Sequence, residues 1–110
     1  MPGQQLSAGV FRSVRLNAMP TVAMTPHLYH FFPVLENRKI TLAAGSVVEL
    51  LAAINEIAPG FTDYVLDDRG ALRRHVNLSI NNTMVVDRKK LTDHVPDDAT
   101  LYIFQALSGG

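Results

Sequence analysis

The group with the clearest chemical task in this sequence is the carboxylate of Gly110, which follows Gly109 at the end of a 110-residue chain. At neutral pH an α-carboxylate is ionised, its reference pKa being about 3.3–3.7, and it has no good leaving group for acyl transfer. Attack of that carboxylate on the α-phosphate of ATP expels pyrophosphate and gives an acyl-adenylate. A sulfur nucleophile then expels AMP and leaves a terminal thiocarboxylate. Glycine suits such a tail because, without Cβ atoms, it threads a narrow channel and takes any backbone conformation the partner's site requires. A folded body docked on the partner would turn the encounter into a well-oriented local reaction. Two glycines at two given positions arise by chance in roughly 0.5% of sequences, and a frayed end is the bland reading of the pair. Their weight therefore depends on the elements in front of them.

Other chemistry finds little support. The chain has no cysteine, which excludes a disulfide scaffold, a thiolate zinc site and a cysteine nucleophile, so any sulfur must be brought from elsewhere. His27 and His30 stand three apart, but no third ligand is near in sequence, and Pro26 and Pro33 argue against a regular helix there; no metal site is expected. His75 and His94 read as ordinary surface or strand residues. Asp63, Asp67 and Asp68 precede Arg69-Gly70, so a turn outweighs acid–base catalysis. Asn77-Leu78-Ser79 and Asn81-Asn82-Thr83 fit the glycosylation sequon, which matters only in a secreted protein. No glycine-rich phosphate loop, serine elbow or dinucleotide fingerprint is present. Catalytic groups and Mg-ATP would belong to a partner, and the chain is expected not to be an enzyme.

Ten basic residues balance ten acidic ones, and no basic run is long enough to track phosphates, so nucleic acid is not an expected partner. No apolar run is long enough to span a bilayer, and none near the N-terminus has the form of a signal peptide. A cytoplasmic protein is expected. Residues 1–19, with Gly3, Gly9, Arg12, Arg15 and no acidic residue, read as a disordered or loosely docked extension, with a faint likeness to a transit peptide as the alternative. Residues 20–110 read as one domain, and Met19-Pro20 as an alternative start.

Positioning of the tail falls to a short series of elements. Val22 and Met24 alternate with Ala23 and Thr25, a strand stopped by Pro26; after a turn-rich stretch from His27 to Asn37, Lys39 to Leu42 alternate as a second strand. The two most simply form an antiparallel hairpin with a long connection. Ser46 followed by Glu49 is a capping box, and Val47, Leu50, Leu51, Ile54, Ile57 and Ala58 recur at helical spacing until Pro59-Gly60. An irregular segment from Phe61 to Arg74 has room for one helical turn around Tyr64. Val76, Leu78 and Ile80 then alternate, Asn81-Asn82-Thr83 turns, and Met84-Val85-Val86 returns as a strand. Lys89 to Val95 is a connection, Pro96-Asp97-Asp98 a turn, and Thr100 to Phe104 a last strand running into Gln105-Ala106-Leu107-Ser108-Gly109-Gly110. On that strand Tyr102, Phe104 and Leu107 could form an apolar docking patch, but Leu101 and Ile103 face opposite to Tyr102 and Phe104 and both faces cannot be fully exposed, so core packing is the favoured role for some of the three. The order predicts an α+β fold of β-grasp, or ubiquitin-like, type: a mixed sheet of about five strands covered by one main helix.

With these residues the chain resembles the MoaD/ThiS family of ubiquitin-like sulfur carriers. The resemblance covers roughly residues 20–110 and rests on the Ser46 to Ala58 helix, His75-Val76-Asn77-Leu78-Ser79-Ile80-Asn81, Pro96-Asp97-Asp98-Ala99-Thr100 and Leu107-Ser108-Gly109-Gly110. It implies a carrier that donates sulfur in cysteine, molybdopterin or thiamine biosynthesis, with Gly110 as the site of adenylation and thiocarboxylation and Gly109 as its flexible neighbour. Phe104, Leu107 and Ser108 would meet the partner. The implied partners are an adenylyltransferase of the ubiquitin-activating type and a sulfur-accepting synthase; ATP is used by the activating partner, and no cofactor is bound stably. A ubiquitin-like modifier joined to lysines through Gly110 is the alternative. The family's acidic turn commonly reads Asp-Gly-Asp, and its molybdopterin-type members often carry two prolines before the diglycine. Here Asp97-Asp98 and Gln105-Ala106 stand instead, which weakens the molybdopterin assignment, while Arg74-His75-Val76-Asn77 looks closer to carriers associated with cysteine synthesis.

Overall fold

The computed structural model of the chain describes residues 19–105; the segments 1–18 and 106–110, and with them Leu107, Ser108, Gly109 and Gly110, lie outside the described residues. Strand β1 (Thr21–Met24) is followed by helix α1 (Pro26–Phe31), a 3-10 turn (Pro33–Leu35), β2 (Ile40–Thr41) and β3 (Gly45–Ser46). Next come α2 (Val47–Ile57), α3 (Phe61–Val65), β4 (Val76–Ile80), β5 (Thr83–Met84), β6 (His94–Val95) and β7 (Thr100–Gln105). Five strands form one mixed sheet in the order β2-β1-β7-β4-β5, with β7 parallel to β1 and antiparallel to β4. This is the expected α+β arrangement, with the last strand in the middle.

Local chemistry explains the main helix. Ser46 Oγ accepts from the Glu49 amide at 3.3 Å, while Glu49 Oε1 accepts from the Ser46 amide at 2.9 Å and from its hydroxyl at 3.1 Å, so the capping box closes in both directions. A Cβ on Gly45 would lie 2.6 Å from that same carboxylate oxygen, so glycine leaves the glutamate its place. Val47, Leu50, Leu51 and Ile54 are buried at helical spacing and join Val22, Met24, Val76, Leu78, Leu101 and Ile103 from the sheet in one core. At the far end Asn55 Oδ1 accepts from the Gly60 and Thr62 amides and the Thr62 hydroxyl, at 3.0–3.1 Å, fastening α3 to α2.

Three sequence expectations change. His27 to Asn37 is not merely turn-rich: β1 ends before Pro26 as expected, but Pro26 also sits at the first position of α1, where its missing N–H costs nothing, so a helix forms where the prolines argued against one. Lys89 to Val95 is not a plain connection either, because His94 and Val95 pair antiparallel with Ser46 and Gly45 in a second, two-stranded sheet. The return strand after the Asn81-Asn82 turn is shorter than expected, Thr83–Met84, although the Val85 amide still donates to the Leu78 carbonyl at 2.9 Å. Asn81 takes a left-handed φ of 55°, as an asparagine in a tight turn readily does.

The long loop from Val85 to Asp93 is organised by two carboxylates. Asp87 accepts from the amides of Lys89, Lys90 and Thr92 and, at 2.6 Å, from the Thr92 hydroxyl; Asp93 accepts from the amides of Val86 and Asp87. The Thr92 hydroxyl above all, with these amides, holds the Asp87 carboxyl down to about 2, against an ordinary 3.8. Arg88 beside it donates to Asn77 Oδ1 and to the Arg73 and Val76 carbonyls, tying this loop to the start of β4.

Two outcomes follow from this packing. Leu51→Ala empties a fully buried site and should cost about 2–5 kcal/mol in urea unfolding, whereas Val48→Ala, at a helix position 41% exposed, should change stability by less than about 0.5 kcal/mol. Because the folded Asp87 binds its proton more weakly than the unfolded one, its stabilisation is present above about pH 4 and is lost as pH falls toward about 2. Thermal melts followed by circular dichroism should therefore lose less Tm between pH 4 and pH 2 in Asp87→Asn than in the parent chain.

Candidate functional site

The candidate site is the root of the tail, where β7 ends at Gln105. β7 is held on both flanks: Thr21 to Met24 pair with Thr100 to Ile103 on one side, and Ile80 to Val76 pair with Leu101 to Gln105 on the other. The Thr25 amide extends the first ladder by donating to the Ile103 carbonyl at 3.1 Å. The strand is bonded along both edges as far as Ile103, and beyond that Gln105 is held on the β4 side by its pairing with Val76.

Side chains alternate about that strand as the sequence predicts. Leu101 and Ile103 are fully buried, Tyr102 is 46% exposed, and Phe104 is half-buried. Tyr102 and Phe104 thus share the face turned away from α2, with Tyr102 opposite Ser79 and Ala23, and Phe104 opposite Asn77. The remaining expected site residues, Leu107, Ser108, Gly109 and Gly110, lie outside the described residues.

The other side of the root is aromatic, and sequence reasoning missed it. Gln105 Nε2 donates to the Tyr64 hydroxyl at 3.4 Å, a long contact, and Gln105 Oε1 is buried without a hydrogen-bond partner among the described residues. Tyr64 lies 5.1 Å, ring centre to ring centre, from Phe31, which is half-exposed, and 5.7 Å from Phe32; Phe32 meets Phe61 edge-on at 5.2 Å. His27 and His30 set their rings edge-on to Phe31 at 5.2 and 5.7 Å. Among the described residues no group of three or more histidines and acidic residues is placed to hold a metal ion. Position 105 stood out in the sequence as a glutamine where prolines are common, but its partner forty-one residues earlier left no local trace.

Expected bystanders behave as such. Asp67 Oδ1 accepts from the Arg69 and Ala71 amides at 2.9 and 3.0 Å, and these bonds lower its pKa; Gly70 takes a φ of 83° in the same turn. Asp63 is exposed, and its carbonyl accepts from the Arg73 guanidinium. His75 and His94 are exposed. No helix among the described residues is long and apolar enough to cross a membrane.

No protein-family model matches the chain, and no curated protein matches it. Solved structures do. The Amycolatopsis orientalis BexX/CysO complex contains a chain that superposes with a TM-score of 0.68 at 22% identity, over 83% of this chain and 99% of that one. Mycobacterium tuberculosis CysO gives 0.68 at 19% identity over 80% and 99%. Small archaeal modifier protein 1 of Haloferax volcanii gives 0.63 at 19% identity over 80% and 97%. Each is aligned over nearly its whole length, so the likeness is one of complete folds. The five-stranded mixed sheet, the capped α2 across it and these superpositions identify the chain as a ubiquitin-like β-grasp protein of the architecture shared by CysO and the archaeal modifier.

Proposed function

We propose that the chain is a sulfur carrier: a protein co-substrate, not an enzyme, whose Gly110 carboxylate is adenylated by an ATP-dependent activating enzyme and converted to a thiocarboxylate. The observation that carries this reading is the pairing of β7 on both edges to Ile103 and on the β4 side to Gln105, five residues short of Gly110, in a β-grasp body like that of CysO. A rigid root presents a short tail at a defined place, which a processing site in another protein requires. The carbonyl that reacts belongs to this chain; the Mg-ATP site, the acid–base groups and the sulfur source belong to its partners. One neighbour was solved in complex with BexX, which agrees with a partner-dependent role. An adenylyltransferase of the ubiquitin-activating type and a sulfur-accepting synthase are the partners this chemistry needs, and a cytoplasmic setting supplies both ATP and reduced sulfur.

Incubation of the full chain with the activating enzyme of its own genome, ATP and sulfide should exchange one oxygen for sulfur at the C-terminus, read by intact mass and localised to Gly110 by fragmentation. An unchanged mass, with AMP release also absent, would count against the carrier. A second reading, conjugation to target lysines through Gly110, is favoured by the similarity to small archaeal modifier protein 1; lysine adducts that vanish on deletion of Gly110 would establish it.

The exposed face of β7 is the docking surface in this proposal, with Tyr102 and Phe104 leading to Leu107 and Ser108. Tyr102→Ala should leave the melting temperature nearly unchanged, because the ring is 46% exposed. In the same assay it should lower kcat/KM for tail activation about tenfold while kcat stays within about twofold, the pattern of lost docking contacts.

A further inference from the structure

Charge is segregated on the described surface. Six of the eight basic residues in 19–105 lie between Asp67 and Lys90, a stretch with three acidic residues, Asp67, Asp68 and Asp87; the other seven acidic residues share the rest of the surface with Arg38 and Lys39. Two of the three acids in the basic stretch, Asp67 and Asp87, turn their carboxylates onto amides of their own loops. Arg88 is likewise engaged with neighbouring carbonyls. Arg69, Arg74, Lys89 and Lys90 remain exposed.

Three of these four side chains share one hollow, and Arg74 is the exposed residue that follows it along the chain. Arg69, Lys89 and Lys90 line a hollow of about 410 Å3 together with Asp67 and Ala71. The Leu72 amide donates to the Arg88 carbonyl at 2.8 Å, and Arg88 reaches back to the Arg73 carbonyl at the same distance, so the chain from Ala71 to Arg74 runs along the rim. Arg74 stands two residues before Val76, the register partner of Gln105. The basic surface therefore ends at the root of the tail, beside the aromatic face and not part of it.

We propose that this surface is a second docking site, for an acidic face of the protein that engages the tail. The identity of that protein as the tail's enzyme rests on the carrier reading above; the basic surface does not. Exposed charges set above all the rate of encounter, which salt suppresses because the screening length shrinks. A flat, polar contact around the hollow complements the apolar contact at Tyr102, and together they bracket Gln105 from two sides.

Titration of the 15N-labelled full chain with decaglutamate tests the site without ATP, sulfide or enzyme. At about 20 mM salt the peptide should shift amides in 69–74 and 88–90, with affinity falling about tenfold by about 200 mM. The triple reversal Arg74→Glu, Lys89→Glu, Lys90→Glu should abolish those shifts, whereas Arg38→Glu with Lys39→Glu should keep them. Equal shifts at 38–39, or none in 69–74 and 88–90 of the parent chain, would overturn the proposal. So would inorganic tripolyphosphate binding the same residues ten times more tightly than the peptide, since that marks a small-anion site. Failure here leaves the Gly110 chemistry standing, and an unmodified Gly110 leaves this surface standing.

Discussion

Everything in this fold hangs on the two ladders that flank β7. Its residues bond to β1 in parallel and to β4 in antiparallel register, and its inward side chains, Leu101 and Ile103, meet Leu50, Leu51 and Ile54 of the covering helix in the core. Without β7 the remaining strands are two separate pairs, β1 with β2 and β4 with β5, each too small to be independently stable. The same strand that unites the sheet also leads to residues 106–110, so the stability of the body and the point from which they start depend on one set of hydrogen bonds.

Around that strand, polar groups mostly serve geometry. Asp67, Asp87 and Asp93 turn their oxygens onto backbone amides, Asn55 collects three donors at the junction of α2 and α3, and Arg88 gathers two carbonyls and an amide oxygen. Such local closure lets loops as long as Val85 to Asp93 hold shape with few apolar contacts. The carboxylates of Asp67 and Asp87 keep their negative charge in these bonds, so the basic stretch sets six positive residues against three negative ones.

What could be read in advance was what is local or strictly periodic. The Ser46–Glu49 box and the spacing of Val47, Leu50, Leu51 and Ile54 carry their own meaning, and the alternation from Thr100 to Phe104 put Leu101 and Ile103 on the opposite face from Tyr102 and Phe104 without saying which face is buried. The fold class followed from the order of these elements. Pairing between two-residue strands could not be read: Gly45-Ser46 and His94-Val95 have no periodicity of their own. Pro26 misled because its effect depends on position, breaking a helix interior but fitting a first turn. At the site, the shared face of Tyr102 and Phe104 was legible, whereas the meeting of Gln105 with Tyr64 depends on a tertiary approach that neither neighbourhood announces.

Parallel pairing of β1 with β7 has a kinetic consequence. Thr21 and Thr100, whose hydroxyl oxygens lie 3.1 Å apart, are separated by seventy-nine residues of chain. On a ribosome adding about 5–20 residues per second, β1 waits roughly 4–16 s for the strand that will hold it. During that interval the nascent chain can form α2 and the two small hairpins but not the sheet, so its apolar faces stay open to chaperones. The barrier that follows is dominated by closing a long loop, and folding should be slow for a chain of this size. A protein assembled in this way completes its main sheet only when β7 has left the exit tunnel.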